Sequence, residues 1–430
     1  MADNVRIILP KKYDLVVGDT FQLFYRGVIE APNPYVYSIV ACCEKGKNYP
    51  RYFEYTPEAE GQHFLSISLF DAQRNRVGYA ETMLNVVEAK EPKKTVNVLC
   101  IGDSLTGGGS WVQEVCRRIT ASDGNPCGLG FANAANFVGS VKPKNKTVRL
   151  EGYGGWHWGS FLTNADGAMW IECKNDRGTE DQHSVWQDVN GALWELETLQ
   201  VDYLKFNRYE EHTSPRPEHG PLIHVKYASD TSPIEFDHSN DAGGTPFMDK
   251  EKGCIDIASY AKRNDIESID AVYCFLGTNG LMSHDAVHNT RTEYCQMVVA
   301  TAKQLIDKIK EAFPNVAVKI MGLPNAAPRF GKGCDLPLND YMDIVHYKKE
   351  LDLAYQAWCL EDGYKDFMEF INLSGQVDSE YVYPCKEKPV NTRSEVTERI
   401  HTNGAHFATA GYMQVADAVF RNFVCSFCKE

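Results

Sequence analysis

Four short stretches, far apart in the chain, hold the residue types that acyl-transfer chemistry requires. The first is Val96 to Trp111, VNVLCIGDSLTGGGSW. Its apolar run (Val96, Val98, Leu99, Ile101) reads as a buried strand entering Gly102-Asp103-Ser104-Leu105, and Ser110 reads as the N-cap of an amphipathic helix through Ile119. A serine at the carboxyl end of a parallel strand sits where open α/β sheets place their ligands, beside the N–H groups of a starting helix. The second stretch is Gly152-Tyr153-Gly154-Gly155-Trp156, and the third, Phe275-Leu276-Gly277-Thr278-Asn279, closes a strand over Ala271 to Leu276. The fourth is His406, five residues before Gly411 and just ahead of a strongly periodic helix. Taken alone, Ser104 reads most simply as an incidental serine in a glycine-rich turn. All four stretches together ask for more. A serine hydroxyl is a poor nucleophile until an imidazole takes its proton. The negative charge that develops on an attacked carbonyl oxygen must meet preorganised donors. An asparagine amide donates without bringing a competing charge, and a glycine lets a backbone N–H approach closely.

In this order the four stretches resemble the blocks of the SGNH, or GDSL, hydrolase family of serine esterases, which includes carbohydrate acetylesterases. The resemblance spans roughly residues 95 to 425 with one large interruption. It implies that Ser104 is the nucleophile and His406 the general base. It also implies an oxyanion hole made of the Ser104 N–H, the Gly155 N–H and the Asn279 side-chain amide; Gly155 is preferred to Gly154 because the family's glycine closes the pair. The implied fold is a three-layer, flavodoxin-like α/β domain with a parallel sheet. The implied activity is hydrolysis of small acyl esters, O-acetyl groups of carbohydrates above all, through an acyl-enzyme and without a cofactor. A lipid or thioester acyl hydrolase is the second enzymatic expectation. A noncatalytic carbohydrate-binding protein on a hydrolase scaffold is the contrasting class.

One position departs from the family pattern. An aspartate usually stands three residues before the histidine, and here that residue is Asn403. An aspartate orients the imidazole and stabilises its cation, whereas Asn403 can do only the first, through its side-chain oxygen. The alternatives are a Ser-His dyad with a backbone carbonyl as orienter, a substitute carboxylate from Glu395 or Glu398, or a weakened protein. His401 is a rival base whose spacing to Gly411 does not match the family. Trp156 and Trp158 share one face of an extended segment. Flat aromatics beside a hydrolytic site often stack on sugars, so they are the expected substrate-binding residues, although core aromatics are commoner overall.

The elements that must position these residues follow from periodicity. The helix carrying Val298, Ala302, Leu305 and Ile309 is stopped by Pro314, and Val316 to Met321 is the next core strand. Tyr341 to Tyr364 is helical in period, and Phe370 to Leu373 reads as the last strand. Tyr412, Val415, Ala416, Val419, Phe420 and Phe423 form one apolar face of a terminal helix, so His406 lies in the loop that feeds it.

Before this α/β pattern, residues 1–90 read as an all-β sandwich domain. Leu65, Ile67 and Leu69 alternate with Ser66 and Ser68, and turn signals separate further short runs at Val5 to Leu9, Phe21 to Tyr25, Tyr35 to Ala41 and Thr82 to Val87. Its role is either substrate shaping, as a carbohydrate-binding module, or packing. Glu88 to Lys94 is a polar, proline-bearing linker, which leaves 91–430 as the hydrolase domain. The distance between the second and third stretches calls for an insertion over about 165–245, whose strand-like segments predict a β-rich lobe beside the site.

Bulk properties fit this organisation. At 430 residues the chain can hold two or three cores, and 43% hydrophobic with 24% charged residues is ordinary for a globular protein. A net charge of −14 argues against nucleic acid or anionic membrane as partner. No apolar run approaches a membrane span, and MADNVRIILP lacks the pattern of a signal segment. The partner that the resemblance implies is an acylated small molecule or oligosaccharide. The 14 cysteines lie mostly in apolar runs, as reduced cysteines do. They suggest a cytoplasmic setting, or secretion if a signal segment has been removed. The histidines are scattered, so no metal is expected.

Overall fold

The computed structural model describes residues 5–162, 245–249, 251–279, 290–328 and 341–429, and between 163 and 244 only the backbone of five short strands. In the N-terminal part, strands β1 (Lys12–Val16), β2 (Phe21–Phe24), β3 (Ser38–Cys42), β4 (Lys47–Asn48), β5 (Tyr52–Tyr55), β6 (Gly61–Phe70) and β7 (Arg76–Val87) form two sheets. One has four strands in the order β1-β7-β6-β3, and the other has three in the order β2-β5-β4. Alternation does what the sequence requires: Leu65, Ile67 and Leu69 of β6 are buried while Ser66 and Ser68 are not. These side chains join Leu15, Phe21, Leu23, Phe53 and Leu84 in one apolar cluster. Two features differ from expectation. Val5 to Leu9 contributes only an isolated bridge, Ile7 to Ile29, and Lys12–Val16 supplies instead a strand parallel to Met83–Val87.

The linker carries no regular structure, but its Lys90 N–H donates to the Cys428 carbonyl at 2.7 Å, which pins it to the end of the last helix. Beyond it lie β8 (Val96–Gly102), β9 (Ala135–Val138), β10 (Glu151–Gly152), β11 (Ala271–Phe275), β12 (Ala317–Met321) and β13 (Met368–Ile371). All pair in parallel. β9 and β10 lie along one edge of β8, and β11, β12 and β13 follow in turn on its other side. Every residue of β11 is buried, so both faces of the sheet are covered. Consecutive side chains on a strand point to opposite faces. Tyr273 donates its hydroxyl to Asn422 at 3.2 Å, while its buried neighbour Cys274 points to the opposite face. The helices α1 (Ser110–Thr120) and α5 (Thr409–Phe427) pack together against the Tyr273 face. On the other face, α2 (Ile257–Arg263) packs on α3 (Arg291–Ala312), which packs on α4 (Tyr341–Trp358). The result is three layers around a parallel sheet.

This order makes β8 the strand from which the chain first moves outward to β9 and β10 and then crosses back to β11. The gap between the carboxyl ends of β8 and β11 is therefore a topological switch point, where doubly wound sheets open a crevice. α4 stops at Trp358, earlier than the periodicity to Tyr364 suggests; a turn follows in which Gly363 takes φ +92°. In the expected insertion, strands at Ala168–Glu172, Val185–Gln187, Leu193–Leu199, Tyr203–Arg208 and Ile223–His224 form a five-stranded sheet. The rest of that segment, and the expected lobe beside the site, lie outside the described residues.

Candidate active site

Gly102 ends β8 where the chain must turn sharply. A Cβ there would meet Thr106 Oγ1 at 2.1 Å and the Phe275 carbonyl at 3.0 Å. The next residue, Asp103, caps a single helical turn over Ser104–Gly107. Its side chain accepts the Leu105 N–H at 2.9 Å, and its carbonyl accepts the Thr106 and Gly107 N–H groups, both at 2.9 Å. These bonds use the donors behind Ser104, whose own N–H has no acceptor among the described residues. The turn thus presents a hydroxyl and a free backbone donor side by side.

The second stretch reaches this turn through backbone contact. Gly152 pairs with Gly102, the Tyr153 N–H donates to the Gly102 carbonyl at 3.1 Å, and a Cβ on Gly152 would fall 2.6 Å from the Gly107 nitrogen. Only glycine permits that approach. Gly155 follows at φ +79° in an exposed turn, and its N–H has no acceptor among the described residues. Below the turn, the fully buried Glu151 carboxylate accepts the Tyr153 hydroxyl and the Tyr260 hydroxyl, both at 2.5 Å, and the Ser140 hydroxyl at 3.0 Å. It also accepts the Ser140 N–H. Burial raises its pKa and these donors pull it back, so the loop stands on a satisfied buried carboxyl.

Asn279 stands just past β11. Its side-chain amide donates to the Trp156 carbonyl at 2.9 Å and to Asp103 Oδ2 at 3.3 Å. It therefore joins the first and second stretches, with both amide hydrogens engaged. The longer, weaker bond to Asp103 is the one a developing oxyanion could share or displace. Asp103 is buried, which raises its pKa to about 7 against the opposing pull of the Leu105 N–H and the Lys348 charge.

His406 completes the group. Its Nε2 lies 2.8 Å from Ser104 Oγ, across 302 residues of sequence. Partial desolvation lowers its pKa below the ordinary 6.5, favouring the neutral imidazole that can accept a proton. The loop reaches α5 tightly, because Gly411 leaves room for Phe407, whose Cβ would lie 2.7 Å from an added Cβ. Asn403 serves this loop rather than the ring. Its Oδ1 accepts the Ala405 N–H at 2.9 Å and the His406 N–H at 2.8 Å. His406 Nδ1 makes no hydrogen bond among the described residues, so none of the expected orienters, backbone carbonyl included, meets it here. Glu395 is exposed in a turn, and Glu398 lies in strand Thr397–His401, opposite Lys388 of Cys385–Pro389. His401 is buried with Nε2 on the Glu380 carbonyl at 3.0 Å, which makes it a packing residue.

Two expectations need correction. Trp156 is 4% exposed and Trp158 is 2% exposed, so neither offers a face on which a sugar could stack. Trp156 stacks on Tyr153 at 4.1 Å, and Trp158 donates its indole N–H to the Tyr355 hydroxyl at 2.6 Å. Sequence reasoning also missed two groups. In the sequence Asp103 reads only as part of the turn, neither as its N-cap nor as the acceptor for Asn279. For Glu151, the only signal was one acid in an apolar run just before Gly152.

No protein-family model matches the chain, and no curated protein matches it. Among solved structures the chain is similar to Est24, a carbohydrate acetylesterase from Sinorhizobium meliloti, at 13% identity over 77% of this chain and 100% of that one, with a TM-score of 0.32. An inhibitor-bound aryl esterase of M. smegmatis is similar at 12% identity over 77% of this chain and 99% of that one, with a TM-score of 0.33. A family two carbohydrate esterase from Clostridium thermocellum, in complex with cellohexaose, is similar at 11% identity over 96% of this chain and 94% of that one, with a TM-score of 0.30. Likenesses this distant carry no part of the functional reading, which rests on the geometry above.

Proposed function

We propose that this chain is a serine carboxylic-ester hydrolase of the SGNH type, with Ser104 as nucleophile and His406 as base. One observation carries the reading: Ser104 Oγ and His406 Nε2 lie 2.8 Å apart at the switch point of the sheet, and the Ser104 N–H next to them has no acceptor among the described residues. In the reaction, the Ser104 proton passes to His406 Nε2 as Oγ bonds to the acyl carbon. The carbonyl oxygen takes the negative charge and is met by the Ser104 and Gly155 N–H groups and the Asn279 amide. As the intermediate collapses, the bond to the alcohol oxygen breaks and His406 returns the proton to that oxygen. Water then repeats the sequence on the acyl-enzyme and frees the acid. His406 works here as half of a dyad, and Asn403 holds the loop from which it acts.

The substrate class, O-acetyl groups of carbohydrates, rests on the resemblance of the four stretches to the SGNH family. Residues 91–430 form the hydrolase domain and residues 1–90 an accessory β-sandwich, a division supported by the separate apolar clusters of the two parts. Turnover of p-nitrophenyl acetate tests the reading. Ser104→Ala should leave only background, since losing such a nucleophile costs on the order of 10⁶ in well-studied cases. Undiminished turnover by that variant would refute it.

A further inference from the structure

The N-terminal part meets the hydrolase part through several buried or partly buried polar contacts, and one partly buried group of them converges on the segment that holds the His406 loop. Glu380 lies in the segment leading to Cys385. Its carboxylate accepts the Tyr35 hydroxyl at 2.7 Å and Arg51 Nε at 2.8 Å, and forms an ion pair with Arg26 Nε at 3.1 Å. All three partners belong to the N-terminal part. Burial works to raise the Glu380 pKa, but these hydrogen bonds and the charges of Arg26 and Arg51 prevail and hold it low. Arg51 also reaches Asp378 Oδ1 at 2.5 Å and lies over the Tyr381 ring at 4.4 Å. The same short segment holds the His406 loop by its backbone. The Glu380 carbonyl accepts His401 Nε2 at 3.0 Å, the Pro384 carbonyl accepts the Thr402 N–H at 2.8 Å, and the Val382 carbonyl accepts the Ala408 N–H at 2.7 Å. Thr402 and Ala408 bracket His406.

A second route runs in parallel. Asn325, just past β12, donates its side-chain amide to the Arg26 carbonyl at 2.8 Å, and its own carbonyl accepts the Tyr383 hydroxyl at 2.6 Å. The Tyr383 ring packs on Phe407 at 5.2 Å, next to the base. Ala327 adds a backbone bond to the Gly404 carbonyl at 3.3 Å.

We infer that the N-terminal β part is a brace for the catalytic base: Arg26, Tyr35 and Arg51 fix Glu380, and through residues 380–384 they hold the loop that sets His406 against Ser104. Glu380 is a positioning residue in this account and touches no substrate. The inference rests on the reading of His406 as base. The brace explains how a dyad can work with an imidazole whose Nδ1 has no hydrogen bond among the described residues: both flanks of the loop are tied to residues 382–384, and the N-terminal part fixes that segment through Glu380, so the ring needs less help from an orienting side chain. Displacing a base by about 1 Å costs roughly a hundredfold in rate.

The test uses the full chain with Glu380→Ala, Glu380→Gln and the milder Tyr35→Phe, beside His406→Ala and the control Asp19→Asn. Asp19 pairs with Arg118 and Arg421 in another contact between the two parts and makes no hydrogen bond or ion pair with residues 380–408 among the described residues. Two readouts are taken: kcat and KM on p-nitrophenyl acetate, and amide hydrogen exchange of residues 401–408. Glu380→Ala should lower kcat by roughly ten- to a hundredfold at unchanged KM and deprotect Thr402 and Ala408. Glu380→Gln, which keeps an acceptor oxygen, should recover part of both, and Tyr35→Phe should show a smaller loss of the same kind. Asp19→Asn should melt earlier with kcat and loop protection intact. The brace is overturned if Glu380→Ala keeps its loop protection and kcat, or if Asp19→Asn loses as much kcat for the same loss of stability. Full turnover by His406→Ala would remove the reading of the base instead, while the exchange data would still report on the brace.

Discussion

Replacing Asn403 by alanine removes the acceptor of two backbone N–H groups, those of Ala405 at 2.9 Å and His406 at 2.8 Å, and leaves the imidazole ring untouched. Each bond contributes about 1 kcal/mol net, so the loop loses about 2 kcal/mol of its hold, which bounds the rate loss at about thirtyfold. Removing the base itself should cost far more, on the order of 10³-fold. Asn403→Asp separates a loop role from a ring role. The carboxylate keeps both backbone bonds, now charge-assisted, so the rate at high pH should match that of the parent. Its negative charge near the imidazole favours the protonated ring, so the His406 pKa should rise and the acidic limb of the profile should move upward. The assay is kcat/KM against pH on p-nitrophenyl acetate for the three variants. The loop role is refuted if Asn403→Ala loses as much as His406→Ala, or if Asn403→Asp is the worse of the two Asn403 variants.

Three further outcomes follow from single contacts. Gly152→Ala places a Cβ 2.6 Å from the Gly107 nitrogen, so one of the two backbones must shift; kcat should fall about a hundredfold, whereas Gly108→Ala, with nothing within 4 Å of its Cβ, should be neutral in the same assay. Asp103→Asn keeps the helix cap but turns an amide toward the Asn279 amide, setting donor against donor at a cost of about 1–3 kcal/mol; kcat/KM should fall about ten- to a hundredfold. Burial raises the Asp103 carboxyl from 3.8 to about 7, so between those values it is protonated in the folded state and ionised in the unfolded one. Parent stability should therefore decline as pH rises through that range, and thermal melts of Asp103→Asn should lack that decline. For the parent enzyme, the base must be neutral to act and its pKa is lowered, so kcat/KM should fall with acid only below pH 6.5.

Much of this site was legible because its parts are short and obey local rules. A buried run ending in Gly102-Asp103-Ser104 reads as strand and turn, and the terminal helix announces the loop that holds His406; the cap was misplaced, since Asp103 caps the turn and Gly109, not Ser110, precedes the next helix. The long-range register was not legible. Nothing in the sequence places Gly152 against Gly107, or Asn279 against both Asp103 and the Trp156 carbonyl, because tertiary packing decides such contacts. Trp156 and Trp158 show the opposite error: their composition suggested a sugar platform, while the neighbouring Tyr153, Phe161 and Tyr355 bury them. Asn403 looked like a defective orienter by analogy with an aspartate. Its short side chain instead closes a turn on its own backbone, a common habit of asparagine in loops.

The central claim is that Ser104 is the residue that becomes acylated. Treating the full chain with a fluorophosphonate, digesting it and mapping the adduct by mass spectrometry tests this most directly. The account predicts a single labelled site at Ser104, absent in Ser104→Ala and formed far more slowly in His406→Ala. An adduct on any other serine, or an active enzyme that takes no label, would contradict it.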